Sequence, residues 1–329
     1  MRENTKKYGT GLRLVTAIAT LVLGLIIQAA PADAENTGGA HVTARWTGAI
    51  NTRSVSAVNA AYWSQYANVQ TLSTGWTGSI LGCLPGVSSA MSNAATVTAM
   101  NYVRSLAGLA PVTQSASLSY GAQRAALMMS ANGALSHDPS TSWRCYSSAG
   151  AAAAGRSNLA LSYPSIQSGQ IVDLYMDDPG STNFAVGHRR WMLNPFVTQV
   201  GTGSTDTANA LTVIGPTSYS RPNPRYVGWP TAGYFPNALE PNGRWSLSAG
   251  RRGVSFARAR VKVYYGTHQV SVHQYRVENG YAQPTLVWQM PASMPRSGTY
   301  RVVVTHIKRQ HHRRYQHTSY FVRLFTPTP

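Results

Sequence analysis

Apolar residues recur every three positions along SAMSNAATVTAMNYVRSLAGL, at Val97, Met100, Val103 and Leu106. That spacing predicts an amphipathic helix, stopped at Gly108 with Pro111 just beyond. The next stretch, SLSYGAQRAALMMSANGALSH, sets Leu118, Ala122, Ala125 and Met129 on one stripe and ends near Gly133. It predicts a second such helix, and each of the two must bury one face against a partner. A third helix is expected over SIQSGQIVDLYMDD, closed by Pro179-Gly180, and a fourth of a turn or two over VGHRRWML, closed by Asn194-Pro195. QVGTGST and ALTVIGP then read as strands. Helices in front of strands point to a layered α/β arrangement.

Beyond the proline-rich stretch TSYSRPNPRYVGWPTAGYFPNALEPNG the period changes to two. Phe256–Tyr265, Val270–His273, Thr285–Trp288, Thr299–His306 and Tyr315–Phe325 read as short strands parted by Gly, Pro and Asn turns. Strands this short and this closely spaced argue for a small all-β sandwich. Upstream, residues 35–88 are polar and dotted with Trp46, Tyr62, Trp63, Tyr66 and Trp76. There NTRSVSAVNAAYWSQY is the helical candidate, and the aromatics are expected to pack on the following domain. The expected division is therefore a leader at 1–34, a lead-in at 35–88, an α/β domain at 89–216, a linker at 217–243 and a β-sandwich at 244–329. No internal repeat recurs at a fixed period.

Charge and cysteines add a compartment. Arg2, Lys6, Lys7 and Arg13 precede the apolar run LVTAIATLVLGLIIQAA, which ends in Pro31 and Ala32-Asp33-Ala34. This reads as a secretory signal peptide cleaved after Ala34; the alternative is an uncleaved anchor, since the run is nearly long enough to span a bilayer. No later stretch resembles a transmembrane helix, so the expected product is secreted and extracellular. In that setting the two cysteines, Cys83 and Cys145, are read as one disulfide. The formal net charge is +18, and after Arg244 only Glu278 opposes a long series of arginines and lysines. Such a region is drawn to anionic polymers or membrane surfaces, or serves to keep the chain dispersed.

The chain carries no GxSxG, HExxH, phosphate loop or CxxC. Its candidate chemistry sits instead at the ends of the expected elements: His137 in GALSHDPS, Ser157-Asn158 in AGRSNLAL, Asp177-Asp178, and His188 in FAVGHRRWMLNP. Polar groups at element ends, brought together by packing, commonly furnish a cleft. Arg189 and Arg190 are placed to neutralise an anionic ligand or to pair with Asp177 and Asp138. Asn101 and Arg104 are expected to turn inward and bond neighbouring loops.

In order, NYVRSLAGLAPV, ALMMSANGALSH, SNLA and VDLYMDDPGSTNFAVGHRRWMLNP resemble the CAP superfamily of secreted proteins, over roughly Ala90 to Pro216. The resemblance implies an α-β-α sandwich with a central cleft, which in many members holds two histidines and two acidic residues. Carried over by position, His137 and His188 match the two histidines. Asp178, three residues after Tyr175 where the family usually has tryptophan, matches the second acid, with Asp177 as the fallback. The first acid, normally the Glu of a Glu-Asn pair, is replaced by Ser157 before Asn158. Two imidazoles and a carboxylate suit a divalent metal such as zinc, with His137, Asp178 and His188 as ligands, although the missing carboxylate weakens that set. The bland alternative has both histidines hydrogen-bonded across the cleft, Asp178 orienting one ring.

No activated nucleophile accompanies these residues, which favours binding over catalysis. The leading expectation is an extracellular protein that holds a small apolar molecule or envelope component through His137, Ser157, Asn158, Asp178 and His188. Lipid or sterol binding is an idea that the family resemblance supplies. One rival is a metal-assisted hydrolase of peptide or cell-wall bonds, with a bound water as nucleophile. Another is an adhesin acting through HIKRQHHRRYQH, where Lys308, Arg309, Arg313 and Arg314 would ring a hairpin loop and contact an anionic polymer. Histidines there gain charge below about pH 6.5. A solvated hairpin tip with no specific partner is the plain alternative. Nucleic acid is disfavoured as a partner, because the chain shows no RRM, KH or zinc-finger signature.

Overall fold

Serine hydroxyls start most helices of this protein. The computed structural model describes residues 48–329, so the expected leader and the first part of the lead-in lie outside the described residues. Helix α1 (Val55–Gln65) is capped by Ser54, α2 (Ala90–Leu106) by Ser89, α3 (Ala116–Asn132) by Ser115, and α4 (Ser148–Ala154) by Ser147. Each cap oxygen accepts an amide N–H of the first turn, one of the donors that a helix start leaves unpaired. Gly133 ends α3 at φ 57°, a left-handed conformation that costs glycine nothing. Helices α5 (Gln170–Asp177) and α6 (Gly187–Met192) complete the set.

Four strands lie between the helices: β1 (Thr113–Gln114), β2 (Ser157–Leu161), β3 (Gln199–Ser204) and β4 (Ala208–Thr212). Their order is β1-β3-β4-β2, with β1 parallel to β3 and the remaining pairs antiparallel. The period-two alternation distributes this sheet between two cores. Leu159 and Ala210 face Ala122, Ala125, Met129 and Ala153 of α3 and α4. Their neighbours Ala160 and Leu211 face Met100, Val103, Ile171 and Val172 of α2 and α5. The result is the expected α-β-α sandwich. Helix α3 rides directly on β3, where a Cβ added to Gly203 would stand 2.2 Å from the backbone nitrogen of Gln123.

The C-terminal region is all β. It comprises β5 (Tyr226–Trp229), β6 (Gly233–Pro236), β7 (Arg244–Ala249), β8 (Val254–Ser255), β9 (Arg260–Tyr265), β10 (His268–Val270), β11 (His273–Gln274), β12 (Thr285–Gln289), β13 (Gly298–Arg309) and β14 (Gln316–Phe325). One sheet runs β10-β9-β13-β14-β6, with β8 also on β13; the other runs β11-β12-β7-β5. The sheets meet through Trp245, whose ring centroid lies 5.3 Å from Tyr300 and 6.5 Å from Trp288, edge to face in both cases. The stretch expected as a linker supplies β5 and β6, the latter parallel to β14. Val270–His273, expected as one strand, divides between β10 and β11 in different sheets.

One continuous set of buried apolar side chains links α2 and α5 to Trp229, Trp245 and Trp288. The lead-in joins it through Tyr66, whose ring lies 4.9 Å from that of Tyr102. Cys83 and Cys145 form the expected disulfide. Among the described residues no helix is long and apolar enough to cross a membrane.

Candidate functional site around His188

Asp178 ends α5 in the left-handed region, φ 49°, which short polar side chains tolerate better than others. The turn brings its carboxylate to the start of α6. There it accepts the backbone N–H of His188 at 2.9 Å and that of Arg189 at 3.4 Å on Oδ2, and the His188 ring at 2.8 Å on Oδ1. The carboxylate is fully buried and the imidazole 28 % exposed. A carboxylate only accepts, so Nδ1 carries the shared proton, and in neutral imidazole Nε2 carries the lone pair. The residue before Gly187 is strained: Val186, β-branched and buried, sits at φ 47°. Such backbone costs of order 1–3 kcal/mol and persists only where its surroundings over-determine it.

Tyr175 stacks on this ring, with centroids 5.6 Å apart and planes at 25°. Its hydroxyl donates into the carbonyl of Asn158 (3.0 Å) and the side-chain oxygen of Asn209 (2.8 Å), and burial raises the phenol well above its ordinary pKa. Asn158 in turn donates to the carbonyl of His188 at 3.1 Å. Asn158, Asp178 and His188 are thus brought together, with Tyr175 and Asn209 as members that sequence reasoning left outside the site. The one sequence signal was Tyr175 at a position where the resemblance leads one to expect tryptophan.

The other two cleft candidates are engaged elsewhere. Strand alternation turns Ser157 to the face opposite Asn158. Its hydroxyl donates to the Ala153 carbonyl at 2.7 Å and lies 2.9 Å from the Thr212 hydroxyl. His137 is exposed, with Nδ1 2.9 Å from the carbonyl of Ala154. A metal does not fit these residues. Serine replaces one carboxylate, and the other is committed to two amides and an imidazole N–H. Among the described residues no group of three or more His, Cys, Asp or Glu side chains is placed to hold a metal ion.

Arg189 and Arg190 anchor backbone. Arg189 donates to the carbonyls of Met176 (2.6 Å), Asp177 (3.3 Å) and Arg244 (2.7 Å) and to the Ser246 hydroxyl (3.2 Å). Arg190 donates to the carbonyls of Gln283 (2.6 Å), Glu278 (3.0 Å) and Tyr281 (3.2 Å). The pairing expected for Asp138 thus gives way to carbonyls about 90 residues away in the chain, which no local pattern signals. Burial lowers both guanidinium groups to about 10, so they remain charged at neutral pH. Tyr281 presses on Gly187, where an added Cβ would meet its ring at 2.6 Å. The C-terminal region therefore forms one wall of the His188 site. Arg104 also serves carbonyls, those of Ala110, Met192 and Asn194, while Asn101 brackets Val112 with two hydrogen bonds.

Beneath α5, Asp173 accepts a short hydrogen bond from the Tyr66 hydroxyl. Burial raises the Asp173 carboxyl to about 6, the Tyr66 bond acting against that rise and Asp177 adding to it. In the basic hairpin, Lys308 donates to the carbonyls of His312 (2.7 Å) and Arg313 (3.3 Å), while the side chains of Arg313 and Arg314 are exposed and Arg309 is partly covered.

Comparison with known proteins places these features. Residues 97–214, which hold the whole four-stranded sheet, match the model of the CAP family, described as the cysteine-rich secretory protein family. This part of the chain is a CAP domain. No curated protein matches. Among solved structures, the M1 domain from titin is 17% identical, with 25% of this chain and 75% of that chain covered and a TM-score of 0.15. A titin Ig tandem is 12% identical, with 40% and 75% covered and a TM-score of 0.17. Likenesses this low carry no argument about the fold.

Proposed function

We propose that this CAP-domain protein is an extracellular binding protein, not an enzyme, and that the surface around His188 recognises a cell-envelope component. The observation that carries the reading is the commitment of the polar groups. The Asp178 and Tyr175 side chains and the Asn158 amide each serve a structural partner, which builds a rigid frame around one partly exposed imidazole. A frame of this kind suits recognition, because little order has to be gained on binding. A polar imidazole at the surface of this frame favours a hydrogen-bonding envelope component over a small apolar molecule. The disulfide suits an oxidising compartment. From Arg244 onward fourteen basic residues stand against one acidic residue, which draws the protein to anionic surface polymers.

Cosedimentation with isolated cell envelopes tests this. His188→Asn places an amide N–H close to the position of Nδ1, within reach of Asp178, and is expected to lower the retained fraction several-fold with the thermal midpoint held. Retention equal to that of the unaltered protein would overturn the assignment of the His188 surface.

A further inference from the structure

The outward face of the larger β-sheet carries a second, unassigned surface. Core residues Val261, Val263, Tyr300, Val302, Val304, Val322 and Leu324 alternate with residues that point away from the core. Across three strands the register aligns Tyr264, Arg301 and Phe321 in one row. Lys262 and Arg260 extend it on β9, and Arg323 extends it on β14 beside Tyr234. Neighbours on one face of a strand are about 7 Å apart, and adjacent strands about 4.8 Å, so the four cations form a band about three strands wide. Glu278 is the one acidic side chain after Arg244, and it is paired to Arg276 at 2.5 Å; among the described residues none of the four cations of the band forms an ion pair with a carboxylate.

Aromatic surface is interleaved with the charge. Arg301 lies 4.5 Å from the centre of the Tyr264 ring and Arg323 5.5 Å from that of Tyr234. Phe321, directly across from Arg301, is 49 % exposed and presents an apolar ring beside the cations. At the far end of β14, Phe325 lines a depression of about 300 Å³ together with Val55 and Asn59 of α1.

We infer that this face binds an anionic polysaccharide, with Arg260, Lys262, Arg301 and Arg323 pairing its acidic groups and Phe321 and Tyr264 stacking on the apolar faces of its sugar rings. Guanidinium groups match carboxylates and sulfates in geometry, and aromatic rings contribute beyond the area they bury. Single-stranded nucleic acid shares this chemistry in part. The disulfide decides between them: it persists in oxidising compartments, where glycans are the polymers at hand. The inference rests on the reading of the C-terminal region as the part that meets anionic polymers, and moves the contact from the 306–317 hairpin to the sheet.

The test is equilibrium binding of the full chain to polygalacturonate, with oligothymidylate and neutral dextran alongside. Phe321→Ala and Arg301→Gln are each expected to raise the dissociation constant about tenfold, equivalent to about 1.4 kcal/mol. The triple variant Lys308→Gln, Arg313→Gln, Arg314→Gln is expected to change it less than threefold. Unchanged thermal midpoints show that the variants are folded. Loss confined to the hairpin variant would overturn the sheet assignment and keep the broader reading. Absence of any binding by the unaltered protein would overturn both. Tighter binding to oligothymidylate than to polygalacturonate would overturn the glycan assignment.

Discussion

Replacing Asp178 by Asn examines the frame at its centre. The native carboxylate accepts two amide N–H groups and the Nδ1 proton of His188, with no exposure to solvent. An asparagine of the same shape keeps one accepting oxygen, and its NH₂ turns a donor toward donors. If the oxygen stays on the amides, the NH₂ faces His188 Nδ1, which must then become an acceptor and move its proton to Nε2. Hydrogen bonds to charged groups contribute about 1.5–3 kcal/mol each, and loss of the helix-terminal charge adds a few tenths. A net destabilisation of about 3 kcal/mol follows, because the two amide bonds and the imidazole bond all survive only in weaker, uncharged form. At about 2–4 °C per kcal/mol for a chain of this size, the melting temperature falls by roughly 6–12 °C. Calorimetry reads the shift, and nitrogen-15 NMR of the imidazole reads the tautomer. A variant that melts within a degree of the native protein and keeps its proton on Nδ1 would refute the reasoning.

Three further perturbations follow. The Asp173 carboxyl is raised by burial to about 6 from an ordinary 3.8, so the folded state holds its proton at pH values where the unfolded state has lost it. Stability from this group is therefore present below about pH 4 and declines as pH rises to about 6, by up to ~3 kcal/mol. Asp173→Asn should flatten that slope in urea titrations across the window, and an unchanged slope counts against it. Reducing the Cys83–Cys145 bond, which closes a separation of 62 residues, should cost about 4 kcal/mol on the chain-entropy model, read as a lower urea midpoint in Cys83→Ser, Cys145→Ser. Gly203→Ala should be among the most damaging single methyl additions, since its Cβ meets the Gln123 backbone at 2.2 Å; soluble protein with native melting would contradict the direct seating of α3 on β3.

Much of the front sandwich is readable because its signals are local. Ser89 and Ser115 cap, Gly133 stops, and the stripes of α2 and α3 hold the three- and four-residue spacing of one helix face. Helix α4 escaped notice because SAGAAAA has no apolar stripe of large residues; its glycine and alanines exist to let it approach α3, where Gly150 meets Met128 and Gly121 meets Ala153. Strands β5 and β6 hide among prolines, since Trp229, Phe235 and their neighbours are ordered by partners that arrive from β7 and β14. At the site, the roles of His188 and Asp178 follow from a turn of ten residues. Ser157 and Asn158 needed the strand register to show that they face opposite ways. The arginine anchors needed the tertiary fold, because several of the carbonyls they bind lie 55 to 93 residues further along the chain.

The central claim is recognition without cleavage at His188. Its most direct test incubates the purified protein with isolated envelopes and measures, in the same sample, the fraction bound and the soluble fragments released, for the native chain and His188→Asn. The account predicts a several-fold loss of binding in the variant and no fragments from either protein. Fragments released by the native chain and abolished in a folded, equally retained variant would contradict it.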